Sequence, residues 1–202
     1  MAVLSLRGLP KVRFWSRMGR WERVSAALAA VSLVVVTRLP LWRILLMSGQ
    51  YPEGLRIQIS AHDVSGDLQN VNILNHYIGM APIDSSTFAE FHWMGPALAG
   101  FAALALVSSL WGRRGLAFLT WIAFLGFGLA MTVDMHHWLW TWGHHLDPMA
   151  PIRVPGFMPP LIGFKQIANF GVWSLPTWGG WLLILSAAMG PLSLWLDLRS
   201  RR

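Results

Sequence analysis

The chain has 202 residues, 54% of them hydrophobic and 12% charged, with a formal net charge of +7. A soluble domain carries about 25% charged residues, so this composition points to a membrane protein and excludes a disordered or collagen-like chain. It contains no cysteine, which excludes disulfides, thiolate metal sites, iron–sulfur clusters and covalently attached c-type haem.

In chain order, a basic arm over residues 1–22 precedes the first apolar run, Val24 to Thr37. A bilayer core takes about 20 apolar helical residues, and this run predicts one span over 23–39, with Arg38 snorkelling at the far interface. Ala27-Leu28-Ala29 resembles a signal-peptidase site. It opens the apolar run instead of closing it, so a retained signal anchor is expected. Pro40 predicts a kink, with Leu41 to Ser48 as a helical or interfacial extension. A first outer loop follows over 49–91. Trp93 to Trp111 and Gly115 to Val133 are uncharged and predict two further spans, joined by a turn carrying Arg113 and Arg114. A second outer loop over 134–171 holds Pro148, Pro151, Pro155, Pro159 and Pro160, which exclude helix from much of it. Leu161 to Trp173 is amphipathic and predicts a segment lying on the membrane surface. Val172 to Leu196 predicts the fourth span. The expected fold is all-α: one polytopic membrane domain over 1–202, four transmembrane helices and two long outer loops.

Charge orients these elements. Eleven basic residues face only Glu22 and Asp197 on the side of the two termini, whereas five face seven acids on the other. The positive-inside rule then places both termini in the cytoplasm of a bacterial inner membrane. The basic charge is thereby a matter of topology and implies no nucleic-acid partner. Thirteen Trp against two Tyr suit the membrane–water boundary.

The polar chemistry gathers on the outer side, where all seven histidines lie. Orientation in a membrane does not require this, and imidazole, thioether and carboxylate are the metal-ligand types left to a chain without cysteine. If the third span continues as a helix beyond Val133, then Asp134, His137, Thr141 and His144 share one face. Gly143 offers a point of unwinding that would let His137 and His144 reach one ion. His76 and Met80 are four apart, and His92 lies at the depth of Asp134. The candidate metal ligands are His76, Met80, His92, Asp134, His137 and His144. Arg38 and Arg43 are candidates for holding an anionic cofactor group. The competing explanation for all of them is an interfacial polar rim, with the amides Asn70, Asn72 and Asn75 bonding loop backbone. No nucleophile motif, phosphate loop or dinucleotide fingerprint occurs.

The stretch Asn72-Ile-Leu-Asn75-His76-Tyr77-Ile-Gly79-Met80, preceded by His62-Asp63, resembles a segment of small multi-span membrane proteins that accompany copper-enzyme assembly, of the nitrous-oxide reductase type. The resemblance covers about a tenth of the chain. It implies an outward-facing copper site serving an exported copper enzyme. Two alternatives stand beside it: an electron-transfer subunit binding b-type haem or quinol, and a cofactor-free structural subunit working with other membrane subunits.

Overall fold

The computed structural model describes residues 16–200; the basic residues Arg7, Lys11, Arg13, Arg201 and Arg202 lie outside the described residues. Helix α1 (Arg20–Val36) begins where Glu22 turns back to accept the Gly19 N–H at 2.7 Å. Pro40 forbids its continuation, and the chain enters a strand, β1 (Trp42–Ser48), instead of a kinked helix. Then follow β2 (Tyr51–Ile59), β3 (Val64–Gly66), α2 (Leu68–Ile78), a 3-10 turn (Ser85–Thr87), α3 (Glu90–Trp111), α4 (Arg114–His144), β4 (Gly163–Ile167), β5 (Phe170–Pro176) and α5 (Trp178–Ser200).

The all-α expectation is therefore corrected: five antiparallel strands form one sheet in the order β3-β2-β1-β5-β4. Its strands come from segments expected to be interfacial helix or loop. Alternation decides the matter in β2, where Leu55 and Ile57 are buried and Arg56 is exposed, the period-2 pattern of a half-buried strand. Strands β4 and β5 form a hairpin across Ala168-Asn169, with Ala168 at φ 49°. That replaces the expected surface helix over 161–173.

The count of spans is corrected as well. Among the described residues two helices, α3 and α4, are long and apolar enough to cross a membrane. The helix at the first expected span, α1, has 17 residues, or about 26 Å, short of a hydrocarbon core of ~30 Å. The fourth expected span begins in strand β5, and its helix starts only at Trp178.

Sheet order dictates helix packing. Strand β1 follows α1 and β5 leads into α5, and the two strands are hydrogen-bonded neighbours. Helices α1 and α5 consequently leave the sheet side by side and pack together, with α3 on α1. The junction is close: the Gly179 N–H donates to the Pro40 carbonyl at 3.2 Å, and a Cβ at Gly180 would lie 2.4 Å from the Leu41 carbonyl oxygen. At the opposite end Met18 and Arg114 exchange backbone hydrogen bonds with Gly112 and Ser16. Arg23 donates to the Ser109 and Leu110 carbonyls, covering the last turn of α3.

Two apolar cores result. One lies between helices, with Leu33, Val36, Leu98, Ala102 and Phe124 buried in it. The other lies under the sheet and joins Ile44, Leu55, Ile57 and Val172 to Val71 of α2 and Leu139 of α4. At 31 residues, α4 is about 46 Å long, roughly 15 Å more than a hydrocarbon core. Its last turns are thus free to support the sheet.

Candidate functional site: an uncovered sheet face

The outer ends of α3 and α4 hold the residues that the sequence singles out. Asp134 lies within hydrogen-bonding reach of Glu90, the first residue of α3, and feels the charge of His137 one turn along α4. One Glu90 carboxyl oxygen, Oε2, is buried with no donor among the described residues. The remaining candidates do not join them. All seven histidines are exposed. The His144 ring stacks on Trp140 at 4.6 Å with Nδ1 2.8 Å from that residue's carbonyl oxygen, and His92 Nδ1 lies 3.3 Å from the Ala89 carbonyl oxygen. Helix α2 ends at Ile78 with Gly79 at φ 78°. His76 and Met80 therefore do not share a helical face.

No group of three or more His, Asp or Glu side chains that could hold a metal ion forms among the described residues. This corrects the expectation of a copper-binding histidine cluster, and the reason is geometric. Helix α4 stays regular through Gly143 to His144, which keeps His137 and His144 about 10 Å apart along the axis. Gly143 serves contact, not unwinding: its carbonyl accepts the Phe157 N–H at 2.9 Å, and a Cβ there would lie 1.7 Å from the Phe157 carbonyl oxygen. Gly95 plays a similar part for His62, whose Cε1 a Cβ would meet at 1.9 Å. The sequence alone gave no sign of that pairing.

The outer segments do pack on each other, through backbone groups. The Asp147 N–H donates to the Gly79 carbonyl at 2.8 Å and the Ile152 N–H to that of Tyr77 at 2.9 Å. The amides find partners closer to home. Asn72 receives the Ile83 N–H at 2.7 Å and donates to the Ile83 carbonyl at 3.0 Å. Trp138 and Trp142 pack on Phe88 at 5.1 and 5.0 Å, so they line an internal contact as well as a membrane boundary.

The sheet itself presents the feature that the sequence concealed. Its inner face is filled by α2, Leu139 and the Pro-rich segment through Met158 and Leu161. Its outer face carries no layer among the described residues. Register places Phe164, Trp173, Leu45 and Arg56 across four strands in one row, with Arg43, Leu175 and Gln58 in the next. The Phe164 and Trp173 rings meet at 5.0 Å, tilted by 44°. Phe164 is 52% exposed, Trp173 42%, Met47 38% and Leu175 37%, so the apolar centre of this face is open. Arg43 stands on it, exposed, and Arg38 is exposed at the turn after α1. Neither is ion-paired to Glu90 or Asp134; the ion pair among the described residues is Arg114 with Glu22. Beside the face, an open polar cleft of about 710 Å³ is lined by Glu53, Arg56, Gln58 and Asp67.

Comparison with protein-family models, with curated proteins and with solved structures found no match.

Proposed function

We propose that this chain is a docking subunit held in a bacterial inner membrane by the α3–α4 hairpin, and that the outer face of its sheet binds the extramembrane segment of a partner protein. The observation that carries this reading is the exposed pair Phe164 and Trp173, with half-buried Leu45 in the same row, flanked by Arg56 and Arg43. Contiguous exposed apolar patches mark interaction sites. Trp and Arg are the residues that most often dominate the energy of an interface, the Trp in a desolvated centre and the charge near the rim. An acidic rim on the partner fits Arg43 and Arg56.

Charge supports an outward sheet. Arg17, Arg20, Arg23, Arg113 and Arg114 gather at the end of the helices away from it, the cytoplasmic end under the positive-inside rule. An exported copper enzyme, the partner implied by the short resemblance, is one such complex; docking requires no metal in this chain. The test is a photo-crosslinking amino acid at Leu175 in the full chain in native membranes. A protein adduct of defined mass that disappears with Trp173→Glu is expected. Adducts with lipid alone, or protein adducts indifferent to Trp173→Glu, would overturn the reading.

A further inference from the structure

Between the helices, away from the sheet, lies a cavity of about 380 Å³, within the range of ~300–1,000 Å³ typical of small-molecule sites. It is lined by α1, α3, α4 and α5. On α1 it runs from Glu22 to Leu33, a rise of about 16 Å, so it is long in the direction of that helix. Its walls are apolar, chiefly Ala29, Leu33, Phe101, Ala105, Phe124 and Met189.

Of the five hydroxyls that line it, those of the four serines are spent within their own helices, which leaves Thr120 as the fifth. Ser25, Ser108, Ser186 and Ser193 each donate to a carbonyl of their own helix, at 2.7 to 2.8 Å. Trp121 likewise spends its indole N–H on the Ala187 carbonyl at 2.7 Å. A polar ligand deep in this cavity would give up water for walls whose donors are mostly engaged already. Hydrocarbon loses nothing there.

One end is different. Met18, Glu22 and Arg114 close it, and the Glu22 carboxylate is taken up by Arg114 and the Gly19 N–H. Next to these lining residues stand Arg17 and Arg113, whose backbones form a bridge, and Arg20; all three side chains are exposed. Three exposed arginines thus neighbour, along the chain, the residues that close a hydrocarbon slot, and Glu22, the acid that lines it, is already paired. Arginine forks suit phosphate oxygens, and each basic residue at an anionic lipid surface adds roughly a kilocalorie of attraction.

We infer that this cavity takes one acyl chain of an anionic phospholipid, whose phosphate rests on Arg17, Arg20 and Arg113. The inference uses none of the residues that carry the docking reading and stands or falls separately from it.

The test uses the full chain purified in detergent and native mass spectrometry with added phosphatidylglycerol, phosphatidylcholine of identical chains, or glycerol phosphate. One phosphatidylglycerol retained per chain is expected, bound about 10-fold or more tightly than phosphatidylcholine, since at least two arginines contribute. Glycerol phosphate should not be retained. Arg17→Gln with Arg113→Gln should erase the preference between the two lipids. Ala105→Phe fills the slot and should abolish retention, whereas Leu119→Phe, on the open face of α4, should not. If Ala105→Phe lowers the melting temperature, Ala29→Leu replaces it as the slot-filling variant. Equal binding of the two lipids, or equal retention by a folded slot-filled variant, would overturn the inference.

Discussion

The pair Glu22–Arg114 is where this fold is most exposed to a single substitution. Arg114 donates to Glu22 through Nε and Nη2, both at 2.8 Å, and to Ser16 Oγ through Nη1 at 2.9 Å. The Glu22 side chain is 5% exposed and that of Arg114 12%. Glu22 also caps α1 through Gly19. Replacing Glu22 with Ala leaves a nearly buried guanidinium without its counter-charge, which costs about 3–5 kcal/mol. Losing the link to Gly19 adds about 1 kcal/mol.

Replacing both partners should behave differently. Glu22→Leu with Arg114→Met removes two buried charges together, and such replacements are often neutral or stabilising. The assay is urea or detergent-denaturant unfolding of the full chain, run as a double-mutant cycle over Glu22→Leu, Arg114→Met and the double variant, with Glu22→Ala measured beside them. The expected pattern is a large loss for each single change and a coupling energy of at least about 2 kcal/mol, within the range of contacting pairs. A Glu22→Ala variant within about 1 kcal/mol of the parent would refute the reasoning and mean that water screens the pair as at a surface.

Three further outcomes are expected. Gly143→Ala should cost about 1–3 kcal/mol by overpacking, because its Cβ would meet the Phe157 carbonyl, and limited proteolysis should then cut faster between Asp147 and Leu161. Asn72→Ala strips both Ile83 backbone groups of their partner and should cost about 1–3 kcal/mol, seen as faster hydrogen exchange at Ile83. The Ser86 N–H holds the Asp84 carboxyl below its ordinary value. The 3-10 turn Ser85–Thr87 is therefore fully supported above the ordinary carboxylate range and loosens as pH falls through the lowered value; the Ser86 amide resonance should shift with acid in the parent and stay put in Asp84→Asn.

What the sequence showed plainly was what a single stretch of chain decides alone. The uncharged runs of α3 and α4 announce themselves by length and hydropathy, and Arg113-Arg114 marks the turn between them. Strand β1 was hidden because Trp-Arg-Ile-Leu-Leu-Met-Ser places apolar residues on its open face as well as its covered one, so residue type does not alternate. Strands β4 and β5 carry no apolar/polar alternation, since β5 buries Ser174 and exposes Trp173 and Leu175, and their hairpin turns on Ala168-Asn169, which lacks the Asn-Gly or Asp-Gly signal. The candidate site failed for a related reason. Spacing along α4 places Asp134 and His137 correctly on one face, and Glu90 does arrive beside them. Which other loop residues arrive is set by Gly79, Gly95 and Gly143, whose packing partners lie far away in sequence.

The sheet face and the lipid slot are linked by the way the chain threads. Strands β1 and β5 are the central pair of the face that carries Leu45 and Trp173, and each is joined by a short corner to a helix that lines the slot. Those corners are stiff: Thr177 donates to the Pro40 carbonyl through its hydroxyl and to the Leu41 carbonyl through its N–H, and Gly179 and Gly180 leave no room between α5 and the 40–41 backbone. Close-packed elements shift as units, not by continuous bending. A chain seated in the slot spreads or orders α1 and α5 at their far ends, and the rigid corners hand that change to β1 and β5. Helix α4 does not share this route, since among the described residues it meets the sheet through side chains of its overhang, Leu139 and Met135. Docking on the face is therefore expected to sense the slot through α1 and α5, and Thr177→Val, which removes one corner bond while leaving both sites intact, should weaken any coupling between lipid retention and crosslinking at Leu175.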